Sequence, residues 1–293
     1  MPDRRPIVVG VDELGADQKA LRWAVDRAVA AGTGLRLVHA FHTADARGWT
    51  PRLRAYPLGT AEQDRAAAEG LVAAAEARSR AIAPGVEVET VAVEEPAVDA
   101  LLAEAESASL LVLGSRELGR VASFTLGSVS QAVAERASCP VAVIRRDPAR
   151  RHASKVVVGL DLDHDSDRLL DFSFELGDQC DLPVEAVTCW RPPIPNALEL
   201  VTQYLDEDRA RVEADLNDRI ARWKEKYPRV QATTLVSSSW PVPGLVALAG
   251  DLNPLVLGRR GRHPTVSALR SVHVSALHEA KGPVIIVPTG PNS

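Results

Sequence analysis

The residues closest to chemistry stand in LGSRELGRVASFTLGSVSQAV, positions 113–133. An apolar run stops at Gly114, a small-and-polar loop follows, and Gly127-Ser128 opens a helical pattern. Amides at a helix start, here those of Ser128, Val129 and Ser130, have no partner inside the helix, and the helix dipole adds partial positive charge. Such a place suits an anion, phosphate above all. Gly127 lets the anion approach bare backbone, and Ser128 adds a hydroxyl donor. Val11 and Asp12 close the apolar run IVVGVD at 7–12, and a carboxylate there suits polar recognition of a ribose or base. The plainer reading is that glycine serves the geometry of a strand-to-helix loop. Ser128 is then an ordinary N-cap and Asp12 a turn residue.

Repetition favours the first reading. IVVGVD at 7–12 returns as VVVGLD at 156–161, LLVLGSR at 110–116 as PLVLGRR at 254–260, and CPVAVI at 139–144 as GPVIIV at 282–287. Two copies of one domain account for the chain. Residues 1–146 form the first and 155–293 the second, with 147–154 as linker inside the basic stretch RRDPARRHAS.

These residues need strands and helices to position them. In the first copy strands are expected at 6–11, 34–40, 86–93, 110–113 and 141–145, and helices at 16–31, 60–82, 96–106 and 127–137. The second copy offers strands near 155–160, 183–189, 230–236, 254–257 and 284–287. Runs such as IVVGV and LLVLG are continuous rather than alternating, as in parallel strands covered on both faces. Each copy is therefore a doubly wound, five-stranded α/β domain. Ligands in such sheets bind outside the carboxyl ends of the strands where the winding reverses. Asp12 and the 114–128 loop share one crevice if strands one and four are neighbours, and Asp161 takes the place of Asp12 in the second copy.

Other chemistries find little support. Gly114 to Gly119 has P-loop spacing, but Arg120-Val121 stands where Lys and Ser/Thr are required, and no GxGxxG follows the first strand. There is no HExxH and no GxSxG. Three cysteines, Cys139, Cys180 and Cys189, form no CxxC, which argues against a disulfide framework and a zinc site. A net charge of -5 gives no reason to expect nucleic acid. No leader or membrane-length apolar run is visible, so the expected compartment is the cytoplasm. His39 reads as a satisfied core or loop histidine. His273 is near enough to the second loop to reach its crevice, with a surface place the simpler expectation. Trp190 either stacks on a base at the second crevice or covers a sheet edge.

VVGVD, LVLGSR, LGSVSQAV and CPVAVI resemble the universal stress protein family in its tandem two-domain form. The resemblance implies a Rossmann-like fold of the adenine nucleotide alpha-hydrolase kind. It also implies, in ATP-binding members, a loop G-x2-G-x9-G-[ST] for the phosphates, an Asp after the first strand for the adenosine, and a main-chain group near Ala40 for adenine. Gly114, Gly127 and Ser128 match, with Arg116 in the loop, but Glu117 takes the second glycine's place. In the second copy Gly258 and Gly261 match, while Ser271 and Val272 replace the Gly-Ser pair. Glu117 is expected to turn away and pair with Arg116 or Arg120. The first copy is therefore the expected nucleotide site, and Asp161, Gly258, Gly261 and Ser271 form a second, weaker one.

The implied function is stress-response regulation through binding ATP or a related adenine nucleotide. Magnesium would come as the nucleotide's counter-ion, with no metal site of the protein's own and at most slow hydrolysis. The rival reading is a nucleotide-free dimerisation scaffold with degenerate loops. The apolar last strands, VAVIR and VIIVP, suggest pairing between the two copies as a pseudo-dimer, or between two chains as a homodimer.

Overall fold

The computed structural model describes residues 5–12, 17–41, 60–115, 127–145, 153–164, 166–190, 202–259 and 272–290. The chain divides into two compact units, Met1–Asp147 and Pro148–Ser293. The first unit runs β1 (Ile7–Gly10), α1 (Asp17–Ala31), β2 (Leu35–Phe41), α2 (Ala61–Ile82), β3 (Val88–Glu94), α3 (Ala97–Ala105), β4 (Leu110–Gly114), α4 (Ser128–Arg136) and β5 (Val141–Ile144). The second repeats this as β6 (Val156–Leu160), α5 (Asp167–Cys180), β7 (Val184–Cys189), α6 (Thr202–Lys226), β8 (Ala232–Ser237), α7 (Pro241–Ala249), β9 (Leu255–Arg259), α8 (Val272–Glu279) and β10 (Val284–Pro288).

Within the first unit the strand order is β3-β2-β1-β4-β5, with every pair parallel. The order in the second is β8-β7-β6-β9-β10, again all parallel. β1 thus pairs with both β2 and β4, in registers Ile7↔Leu35 and Ile7↔Leu110. The chain winds outward from β1 to β3 and then returns to β4 on the other side, so the direction reverses between β1 and β4. Each crossover helix must return the chain to a parallel strand. α1 and α2 cover one face of the first sheet, and α3 and α4 the other. α5 and α6 divide from α7 and α8 in the same way.

Burial on both faces explains the continuous apolar runs. Val8, Val9, Leu111, Val112, Val157 and Val158 are shut from solvent. The two margins of each sheet differ: β3 and β8 are mostly half-buried, whereas β5 and β10 are buried throughout. Polar pairs fasten these margins. Arg36 of β2 grips Glu104 of α3 through two hydrogen bonds of 2.6 and 3.1 Å and meets Glu89 of β3 at 2.5 Å. That pairing raises the guanidinium pKa further above its ordinary value. Helix ends follow local rules: Thr60 and Gln63 form a capping box at α2, and Pro241 opens α7.

One glycine in each first strand is required by close packing. A Cβ at Gly10 would lie 2.7 Å from Leu113 Cδ2, and one at Gly159 would lie 2.7 Å from Leu257 Cδ2 and 2.9 Å from Leu245 Cδ1. The bare backbone lets a leucine of the neighbouring strand fold across the sheet at the reversal point. A valine at Gly159 overpacks this spot. Gly159→Val is expected to cost about 1–3 kcal/mol, seen as a fall of several degrees in the thermal midpoint followed by circular dichroism; an unchanged midpoint would contradict this packing.

Candidate functional site

At the reversal point of the first unit, the carboxyl ends of β1 and β4 and the start of α4 enclose a cavity of about 180 Å³. Its walls include Val11, Asp12, Ala40, Gly114, Gly127, Ser128, Val129 and Ser130. All eight were expected from the sequence; Arg116 and Glu117 lie outside the described residues. The floor is apolar, made by Gly10, Val38, Leu101 and Leu113.

The mouth of α4 shows how the local sequence shapes the site. The helix's own ladder begins with Gln131 N–H donating to Gly127 C=O at 3.0 Å. The amides of Ser128, Val129 and Ser130 therefore fall outside it. Gly127 is the N-cap and offers no side chain to cover them. The Ser130 hydroxyl donates to Gly114 C=O at 3.2 Å, binding the first turn of α4 to the end of β4. Ser130 thus brings its amide to the crevice, while its hydroxyl serves the fold.

Among the described residues no packing contact demands a glycine at position 127. Its backbone sits at φ -63, open to any residue. Among the described residues a Cβ there would meet Ser130 Oγ alone, at 3.8 Å. Across the cavity, His39 Nδ1 lies 2.8 Å from Val11 C=O. Since a carbonyl only accepts, Nδ1 carries a proton in this contact. The buried imidazole so fixes the exit of β1 just before Asp12.

The second unit builds a larger cavity, about 300 Å³, at the equivalent place. Asp161 and Gly258 line it as expected, whereas Gly261 and Ser271 lie outside the described residues. Thr188 stands where His39 does and donates its hydroxyl to Leu160 C=O at 3.1 Å, the same link made by a different side chain. Asp161 is held in a tight turn: Oδ1 accepts the Asp163 N–H at 3.2 Å, and Oδ2 lies 3.3 Å from His164 Nδ1. From α6, Arg219 donates to the carbonyls of His164, at 2.5 Å, and Leu162. This clamp fixes the acidic lip from a helix far along the chain.

Several expectations change here. His273 lines the second cavity and is not merely a surface group, because α8 starts at the crevice mouth and its second residue turns inward. Cys189 also faces that cavity; burial pushes its thiol pKa up, against a smaller lowering effect of Ser237, which works against reactivity. Trp190, whose N–H donates to Ser237 C=O at 2.9 Å, is not among the lining residues. Sequence reasoning overlooked the contributions of α3 and α7, namely Ala97 and Leu101 in one unit and Pro241 and Leu245 in the other. Comparing the two copies beyond their third strands would have found them, since a helix opens at matching positions in both.

Comparison with known proteins agrees with this architecture. The profile of the universal stress protein family matches residues 3–145 and again 152–288. A universal stress protein of Mycobacterium tuberculosis (strain H37Rv) is 30% identical over 290 residues, covering 96% of each chain. Another, from Mycolicibacterium smegmatis, is 27% identical over 297 residues, again 96% of each chain. The crystal structure of a universal stress protein from Archaeoglobus fulgidus shares the fold, with a TM-score of 0.66 at 16% identity over 99% of this chain and 98% of that one. With its duplicated sheets, its paired crevices and both halves matched, the chain belongs to the universal stress protein family as a tandem member.

Proposed function

We propose that this stress protein binds an adenine nucleotide, ATP being the leading choice, in the crevice of its first unit. The supporting observation is the mouth of α4: three amides outside the helix ladder, behind a glycine that no described neighbour requires. Phosphates lie along those amides and the Ser128 hydroxyl, where the helix dipole and backbone donors act together. The base enters the apolar floor near Ala40, and Asp12 accepts from the ribose hydroxyls. Magnesium accompanies the nucleotide; among the described residues no group of three or more His, Cys, Asp or Glu side chains forms a metal site.

The protein works by occupancy rather than turnover. His39 Nδ1 donates to the Val11 carbonyl and so ties the ring to the end of β1. Nucleotide binding changes the protein's state only as far as two conformations differ in affinity for it.

Protein purified without added nucleotide and then denatured should release an adenylate, and calorimetric titration of stripped protein with ATP and magnesium should show saturable heat. Neither heat nor carried ligand would favour the scaffold reading instead. Gly127→Glu places a carboxylate against the phosphates and should abolish ATP binding. The milder Gly127→Ala should weaken ATP binding by about tenfold or more while costing less than about 1 kcal/mol of stability, as expected for a changed cap residue. Equal ATP affinity in wild type and Gly127→Glu would remove the first crevice from consideration.

A further inference from the structure

Each sheet has one half-buried margin, β3 in the first unit and β8 in the second, while β5 and β10 are buried throughout. A margin strand carries a row of backbone groups that its own sheet does not use, and such a row is a template for another strand. In β3 the register identifies that row. Leu35 stands opposite Val88, and Leu35 N–H donates to Glu87 C=O at 2.8 Å. Bonding residues alternate along a parallel ladder, so Glu89, Val91 and Val93 face β2, and the N–H and C=O groups of Val88, Thr90 and Ala92 face away. Among the described residues those groups have no hydrogen-bond partner.

The margin of the second unit is guarded differently. Val184 N–H donates to Gln231 C=O at 2.8 Å, which by the same alternation turns the Val236 carbonyl outward. Arg209 of α6 donates to that carbonyl at 3.3 Å. An arginine laid on the outer edge obstructs an incoming strand.

The sequence of β3 complements itself. Turned antiparallel about a two-fold axis at Thr90, two copies set Thr90 opposite Thr90, Val88 opposite Ala92, Glu89 opposite Val91 and Glu94 opposite Val86. No acid then stands directly across from another, the pairing that would be destabilising. The two acids of the strand also bring their own counter-charges: Glu89 meets Arg36 at 2.5 Å, and Glu94 meets Arg65 at 3.4 Å. Every outward residue of one copy meets an outward residue of the other, which yields about six new backbone hydrogen bonds.

We infer that β3 is the docking strand for a second copy of this chain, in an antiparallel seam centred on Thr90. The seam is isologous, so it closes at two chains and does not run on as a filament. It depends on no ligand in either crevice.

Sedimentation velocity on the full chain tests the seam. Wild type should sediment as two chains of 31.4 kDa each. Thr90→Asp and Thr90→Lys each place like charges face to face across the axis, and each alone should sediment as a single chain. An equimolar mixture of the two should recover the two-chain species, because opposite charges then meet. Thr90→Pro removes an outward N–H, which a margin strand tolerates, and should also give single chains. Melting curves unchanged from wild type show that the fold survives; should Thr90→Pro melt early, the charged pair decides. A single-chain wild type would overturn the inference. So would a two-chain species that persists in Thr90→Asp, or a mixture of the charged variants that stays single.

Discussion

Everything in each unit depends on a central strand that must satisfy hydrogen bonds to parallel neighbours on both sides. β1 pairs with β2 and β4, and β6 with β7 and β9. Parallel neighbours cannot be joined by a tight turn, so each link becomes a helix laid across the sheet. Links leading away from the central strand go to one side, and the return comes from the other. The helices on either side of β1 therefore diverge at its carboxyl end. The opening left there is a consequence of strand pairing and exists before any ligand does.

The same constraint explains which differences between the copies are tolerated. Positions inside the sheet keep their character: Gly10 and Gly159 each leave space for a leucine folded across the strand. The carbonyl leaving the first strand is held in both units, yet by an imidazole in one and a hydroxyl in the other. Either side chain satisfies a buried acceptor that would otherwise be costly to leave bare. The helix starts differ, with Ser128 in the first copy corresponding to Val272 in the second.

Much of this was legible in the sequence, because strand ends and helix starts carry local signals. Val11, Asp12, Ala40, Gly114 and the 127–130 segment all reach one cavity, since an apolar run ending in Gly or Asp marks the end of a buried strand. What escaped depends on contacts between distant segments. Arg219 lies more than fifty residues from the carbonyls it holds, and nothing in the helical pattern around it marks that one arginine. The tie between the Ser130 hydroxyl and Gly114 C=O left no mark in the sequence, because it depends on how close α4 sits to β4. Nor does periodicity alone separate the half-buried margins, β3 and β8, from the buried ones, β5 and β10.

The open space that the described residues leave beside position 127 has an evolutionary corollary. Where packing enforces a residue, a lineage that abandons it loses the protein; where only a visitor enforces it, a lineage that abandons it loses the visitor and keeps a healthy molecule. A duplicated chain can thus specialise one half in small, survivable steps, with the sheet as an unchanging chassis and the helix mouths as the part that drifts.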